Sequence, residues 1–88
     1  SGKTLAQDWS ISPNPCVDHF NLQIQSDQRE SYLLLINDAQ GKLVYSQSFE
    51  QDGATPRVVK FGKLPAGNYV VTLLSKEGKA AKWMVVSE

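Results

Sequence analysis

The feature that most constrains this chain is its punctuation. Pro13 and Pro15, Gly41, Gly53 with Pro56, Pro65 with Gly67, and Gly78 cut it into short runs. No segment keeps apolar residues at helical spacing long enough to hold a helix. Evenly spaced short runs separated by turn residues are the pattern of a β-sandwich or small barrel. At 88 residues the chain has room for one core. With one cysteine, Cys16, it has no internal disulfide to reinforce that core.

Seven runs read as strands. Trp9-Ser10-Ile11 is a short edge strand that ends at Pro13-Asn14-Pro15, where two prolines remove ladder donors. Val17 to Gln25 alternates cleanly: Phe20, Leu22 and Ile24 face a core, while His19, Asn21, Gln23 and Gln25 face water. Tyr32 to Ile36 is apolar on both faces and reads as a central strand. Asn37 to Gly41 then turns the chain. Lys42 to Phe49 places Leu43, Tyr45 and Phe49 on one face, and residues 50–56 read as a polar surface loop.

Val58 to Phe61 is a short fifth run. Leu64 to Gly67 is a loop with Gly67 expected at positive φ. Tyr69 to Leu74 is β-branched and aromatic, a second central strand. Ser75 to Gly78 closes a hairpin into Ala80 to Val86, which carries Ala81, Trp83 and Val85 on one face and Met84 and Val86 on the other. The expected fold is all-β, a seven-stranded antiparallel immunoglobulin-like β-sandwich over residues 9–88. Residues 1–8 read as a linker or vector-derived stretch.

Composition removes several functions. Nine Lys plus Arg balance nine Asp plus Glu, which argues against long-range attraction to nucleic acid or anionic lipid. No apolar run approaches the roughly 18 residues of a membrane helix, and no basic and apolar leader opens the chain. The basic stretch from Arg57 through Lys60, Lys63, Lys76, Lys79 and Lys82 reads first as a solvated face with lysines guarding an edge.

Catalytic chemistry finds little support. His19 lies three residues from Cys16, a spacing that sends two strand side chains to opposite faces, so the pair does not read as nucleophile and base. Ser1-Gly2-Lys3-Thr4 looks like the end of a phosphate-binding loop but lacks the preceding strand and glycine that such a loop needs. Cys16, Asp18 and His19 lack zinc-site spacing, and no calcium loop is present. The expectation is a non-enzyme with no cofactor and no metal.

Four landmarks in order carry a family resemblance. They are Ile11-Ser12-Pro13-Asn14-Pro15; the alternating Phe20 to Ile24; Ile36 to Val44 with its Gly41-Lys42 corner; and Leu64-Pro65-Ala66-Gly67-Asn68-Tyr69-Val70-Val71. A terminal hairpin and strand, Gly78 to Val86, follow them. This order resembles the C-terminal sorting domain carried by cargo of the type IX (Por) secretion system of Bacteroidetes. The motif residues are Pro13, Asn14, Pro15, Gly41, Lys42, Gly67 and Tyr69. Cys16 stands where the family more often has a small aliphatic or hydroxyl residue.

The resemblance implies a secretion signal. The parent protein would transit the periplasm, and this domain would direct it through the outer-membrane translocon to the cell surface or medium. A shuttle barrel in the outer membrane would recognise the last strand, and in typical cargo a surface sortase would cut near Thr4 to Asp8. The residues expected to meet the partner are Gly78, Lys79, Lys82, Trp83, Met84, Val85 and Val86. Lys79 and Lys82 are expected to orient docking from one side. Trp83 and Val85 read equally well as core. Exchange of the terminal strand between two copies would give a swapped homodimer. The alternative function is a carbohydrate-binding or adhesive sandwich, for which Trp9 and Tyr45 are the candidate wet aromatics.

Overall fold

The computed structural model describes residues 9–12, 16–24, 29–52, 56–76 and 78–87. These hold seven strands: β1 (Trp9–Ser12), β2 (His19–Ile24), β3 (Arg29–Asp38), β4 (Leu43–Asp52), β5 (Arg57–Lys60), β6 (Gly67–Ser75) and β7 (Gly78–Val86). All strand pairs are antiparallel. They form a three-stranded sheet, β1-β2-β5, and a four-stranded sheet, β4-β3-β6-β7. The Pro13, Asn14, Pro15 landmark and residues 1–8 lie outside the described residues.

One core joins the two sheets. The three-stranded sheet gives Trp9, Phe20, Leu22, Ile24 and Val59, and the four-stranded sheet gives Tyr32, Leu34, Ile36, Tyr69, Val71, Leu73, Met84 and Val86. Period-two alternation puts each set on one face. The inner faces meet as in an immunoglobulin-like sandwich. β3 and β6 lie between neighbours on both sides, as their apolar character requires.

Turn chemistry fixes the β3–β4 hairpin. The Asp38 carboxylate accepts from the backbone N–H of Gln40 (3.0 Å) and Lys42 (2.9 Å), and Asn37 donates to the Gly41 carbonyl (3.1 Å). Gly41 has φ of 90°, a conformation in which a Cβ is strained. At the start of β6, Gly67 also has positive φ (157°). Tyr69, two residues on, donates its hydroxyl to the Pro65 carbonyl at 2.6 Å. That bond ties the loop to the core end of the strand.

Four expectations are corrected. β4 runs on to Asp52, because β3 begins early enough to pair Glu30 with Gln51 and Arg29 with Asp52; Gln51 is buried on the inner face. The first part of the expected 50–56 loop is therefore strand. Leu43 is half exposed rather than facing the core with Tyr45. The ladder pairs Ile36 with Tyr45 but Asn37 with Leu43, so Val44 is an extra residue that flips Leu43 to the outer face. Trp9 is buried, since its pairing with Ile24 turns the indole inward beside that core residue. β2 starts at His19, and Val17 before it is exposed.

The alternation generates a test. Leu33 and Leu34 are adjacent, but Leu34 is fully buried and Leu33 is 38 % exposed. Leu34→Ala is expected to cost about 2–5 kcal/mol in urea unfolding, as core leucines do. Leu33→Ala is expected to cost less than about 1 kcal/mol, because its side chain leaves no sealed cavity. Equal losses would contradict the assignment of faces.

Candidate functional site

The residues singled out in the terminal strand separate by parity. Met84 and Val86 point into the core and are sealed there. Lys79, Trp83 and Val85 point outward, with Trp83 64 % and Val85 41 % exposed. The reading of Trp83 and Val85 as core is thereby corrected. Both sets of side chains are apolar, so local pattern did not choose between the faces. The choice is made by the β6 register, which places buried Tyr69 opposite Met84 and Gly67 opposite Val86.

Lys79 and Lys82 do not share a side. Lys79 belongs to the outer set, whereas Lys82 has the parity of Met84 and reaches across the sandwich edge. Its ammonium lies 5.3 Å from the centre of the Trp9 ring, a cation–π contact between the two sheets. Arg57 is likewise occupied: its guanidinium lies 4.4 Å from the centre of the Phe49 ring and donates to the Glu50 carbonyl at 3.0 Å. Two of the basic groups of this stretch, Arg57 and Lys82, are therefore engaged within the fold.

Landmarks far apart in sequence converge on one pole. Asp38, Tyr69 and Met84 lie in one cross-strand row, so the Gly41-Lys42 corner, the Gly67–Tyr69 segment and the end of β7 share an end of the four-stranded sheet. Cys16 closes that pole. It forms an isolated parallel bridge with Val86. Its N–H donates to the Val85 carbonyl at 2.9 Å, and its carbonyl accepts from the Ser87 N–H at 2.8 Å. An open apolar groove of about 710 Å³ sits beside this clasp, lined by Val17, Lys63, Leu64, Pro65, Ala66 and Ser87. Sequence reasoning missed both clasp and groove. Cys16 and Val86 are 70 positions apart, and no local pattern announces a one-residue bridge.

The titratable groups here do not form a reactive centre. Burial pushes the Cys16 thiol above its ordinary value of 9.0. Its Sγ lies 3.7 Å from the Val85 carbonyl, and the side chain is 1 % exposed. His19 is exposed and turned to Asp18, Nδ1 to Oδ1 2.8 Å, and that hydrogen bond holds the Asp18 carboxyl below its usual value. Thiol and imidazole thus lie in different environments, one sealed and one wet. Among the described residues no group of three or more His, Cys, Asp or Glu side chains is placed to hold a metal. Tyr45, a candidate sugar-stacking residue, is half-buried against the core and donates to Gln47 at 2.8 Å. Trp9, the other, is covered.

Cys16 reports on its own clasp. A thiol reagent at pH 8 is expected to label the native domain at least about a hundredfold more slowly than the urea-unfolded chain, because burial and a raised pKa both suppress the thiolate. Since the folded pKa is the higher one, the thiol's contribution to stability is intact below about pH 9 and is lost as pH rises further. Rapid native labelling would show that the clasp is open in solution.

No curated protein matches the chain. A family model described as a secretion system C-terminal sorting domain matches residues 10–87, nearly the whole sequence. Two of the four landmarks that carry the resemblance, the Gly41-Lys42 corner and the Gly67–Tyr69 segment, are among those that converge at this pole. The chain belongs to the C-terminal sorting domains of the type IX secretion system, the signals that mark a protein for export to the cell surface or beyond.

Proposed function

We propose that this domain is a non-enzymatic export signal whose last strand is read by the outer-membrane machinery. In this reading the parent protein folds in the periplasm, and a shuttle barrel takes hold of the β7 end before passage through the translocon. A surface sortase then removes the domain by cutting near Thr4 to Asp8. The carrying observation is the double character of β7. It is the outermost strand of its sheet, and it sets Trp83 and Val85 outward while Met84 and Val86 anchor it. An edge strand with apolar side chains outward suits recognition by strand addition or by insertion into an apolar pocket.

The clasp and groove at the same pole support the reading. Cys16 holds Val85 and Ser87 by their backbones, which fixes the end of β7 beside an apolar cleft. The groove is long enough in apolar residues to seat a partner side chain next to the terminal strand. The same strand exchanged between two copies would make a swapped homodimer, although Lys79 on the edge works against self-pairing. The carbohydrate-binding alternative is disfavoured by the covered indole of Trp9 and the hydrogen-bonded hydroxyl of Tyr45.

The test is a secretion assay in a bacterium with a working type IX system. Residues 1–88 are fused behind a signal peptide and a fluorescent reporter. Deleting Gly78 to Glu88 is expected to leave the reporter in the periplasm, but it also removes Met84 and Val86 from the core. A second variant, Trp83→Thr with Val85→Thr, changes only outward side chains. It is expected to lower export at least about tenfold while the melting temperature stays within a few degrees of the parent. Periplasmic retention of the unmodified fusion would contradict the signal reading. Export of the double variant at the parent level would contradict recognition through β7.

A further inference from the structure

The outer face of the four-stranded sheet is apolar well beyond β7. Cross-strand registers build it in rows: Leu43, Asn37, Val70 and Trp83; then Ser46, Leu35, Thr72 and Ala81; then Ser48, Leu33, Leu74 and Lys79, so the face is apolar on β3, β6 and β7 and turns polar at the two serines of β4. Leu43 is 50 % exposed and Leu33 38 %, while Leu35, Val70 and Leu74 are half-buried. An outer sheet face on a sandwich usually alternates to polar residues. Here leucines and a valine continue the surface that Trp83 and Val85 begin.

From this continuity we infer a second recognition surface, formed by the outer face of β3 and β6. It docks an apolar surface of the export machinery that carries a carboxylate opposite Lys79. The inference rests on the export-signal reading and extends it from one strand to a sheet face. Two observations select this occupant over a second copy of the chain. The apolar face spans three strands, β3, β6 and β7, about 4.8 Å apart and some seven residues at about 3.3 Å each, a footprint of roughly 300 Å². A stable pair buries about 800 Å² on each partner, so two such faces fall well short. A contact of this size suits a transient client interaction that adds to the hold on β7.

Charge gives the second reason. Among the described side chains of this face, the one carboxylate, Glu50, is held by Arg29. Lys79 stands at the β7 border of the face, and among the described side chains of its sheet no carboxylate is paired with it. Among the described side chains of the face, a second copy would bring another Lys79 and only a Glu50 already held by Arg29. A partner with an acidic group at that border satisfies the ammonium as the apolar centre closes.

The experiment uses the same fusion, with one pair of substitutions on β3 and β6 and one at the β7 border of the face. Leu33→Thr with Val70→Thr makes the face polar while keeping β-forming residues. Lys79→Glu reverses the border charge. Each is expected to reduce export at least fivefold without shifting the melting temperature by more than a few degrees. If the unmodified fusion is exported and both variants are exported equally well, this inference fails and the signal reading stands. If the unmodified fusion is retained, the signal reading itself fails. The purified domain is also mixed with phosphatidylcholine–phosphatidylglycerol vesicles. Co-sedimentation abolished by Leu33→Thr with Val70→Thr would assign the face to lipid and overturn the protein partner.

Discussion

The structure depends on one small clasp, the pair of backbone hydrogen bonds that Cys16 makes to Val85 and Ser87. The chain leaves β1 in the three-stranded sheet, touches the edge of the four-stranded sheet at Cys16, and returns to the first sheet as β2. One residue thereby belongs to both layers. An edge strand has a neighbour on one side only and gains from any further backbone tie. Here the tie holds Val86 in the core at 2 % exposure and aligns the end of β7 with Gly67. It also sets the walls of the groove, since Val17 follows Cys16 and Ser87 follows Val86. Cysteine, 1 % exposed, serves as a compact apolar group at position 16.

Much of the fold was legible where one face of a strand is polar. Phe20, Leu22 and Ile24 alternate with polar neighbours, and all three are buried. The doubly apolar runs at Tyr32 to Ile36 and Tyr69 to Leu74 are the central strands β3 and β6. Reading failed where the deciding contact is distant. Trp9 is buried through its pairing with β2, which a three-residue run does not display. Leu43 turned outward because Val44 is an inserted residue, and a bulge leaves no mark in a hydrophobicity pattern. β7 was ambiguous in principle: two equally apolar faces carry no local instruction, and the partner strand chose.

The candidate site shows the same division. The turn chemistry of Asp38 and Gly41 and the Gly67–Tyr69 segment stood out locally, because each depends on residue types that particular backbone conformations require. That these segments would share a pole with the chain end is a matter of topology, not of motif. Lys82 illustrates the limit. Its charge and position suggested a docking group beside Lys79, yet strand parity separates the two, and the indole of Trp9 gives Lys82 a partner within the fold.

The parity of β7 has a consequence for what a receptor can sense. Trp83 and Val85 lie together on one plane only while Met84 and Val86 are seated on the opposite side. An unfolded chain of the same sequence offers all four side chains to any apolar surface, without order. A receptor that binds the outward pair in register with Leu33 and Val70 therefore binds a conformation rather than a peptide. The last strand joins β6 by its full length, so loss of the core scatters the outward row and the sheet face together. In the proposed role this makes export conditional on folding: the residues that display the signal are held in place by the residues that complete the core. Strand alternation alone supplies the coupling, with no switch and no moving part.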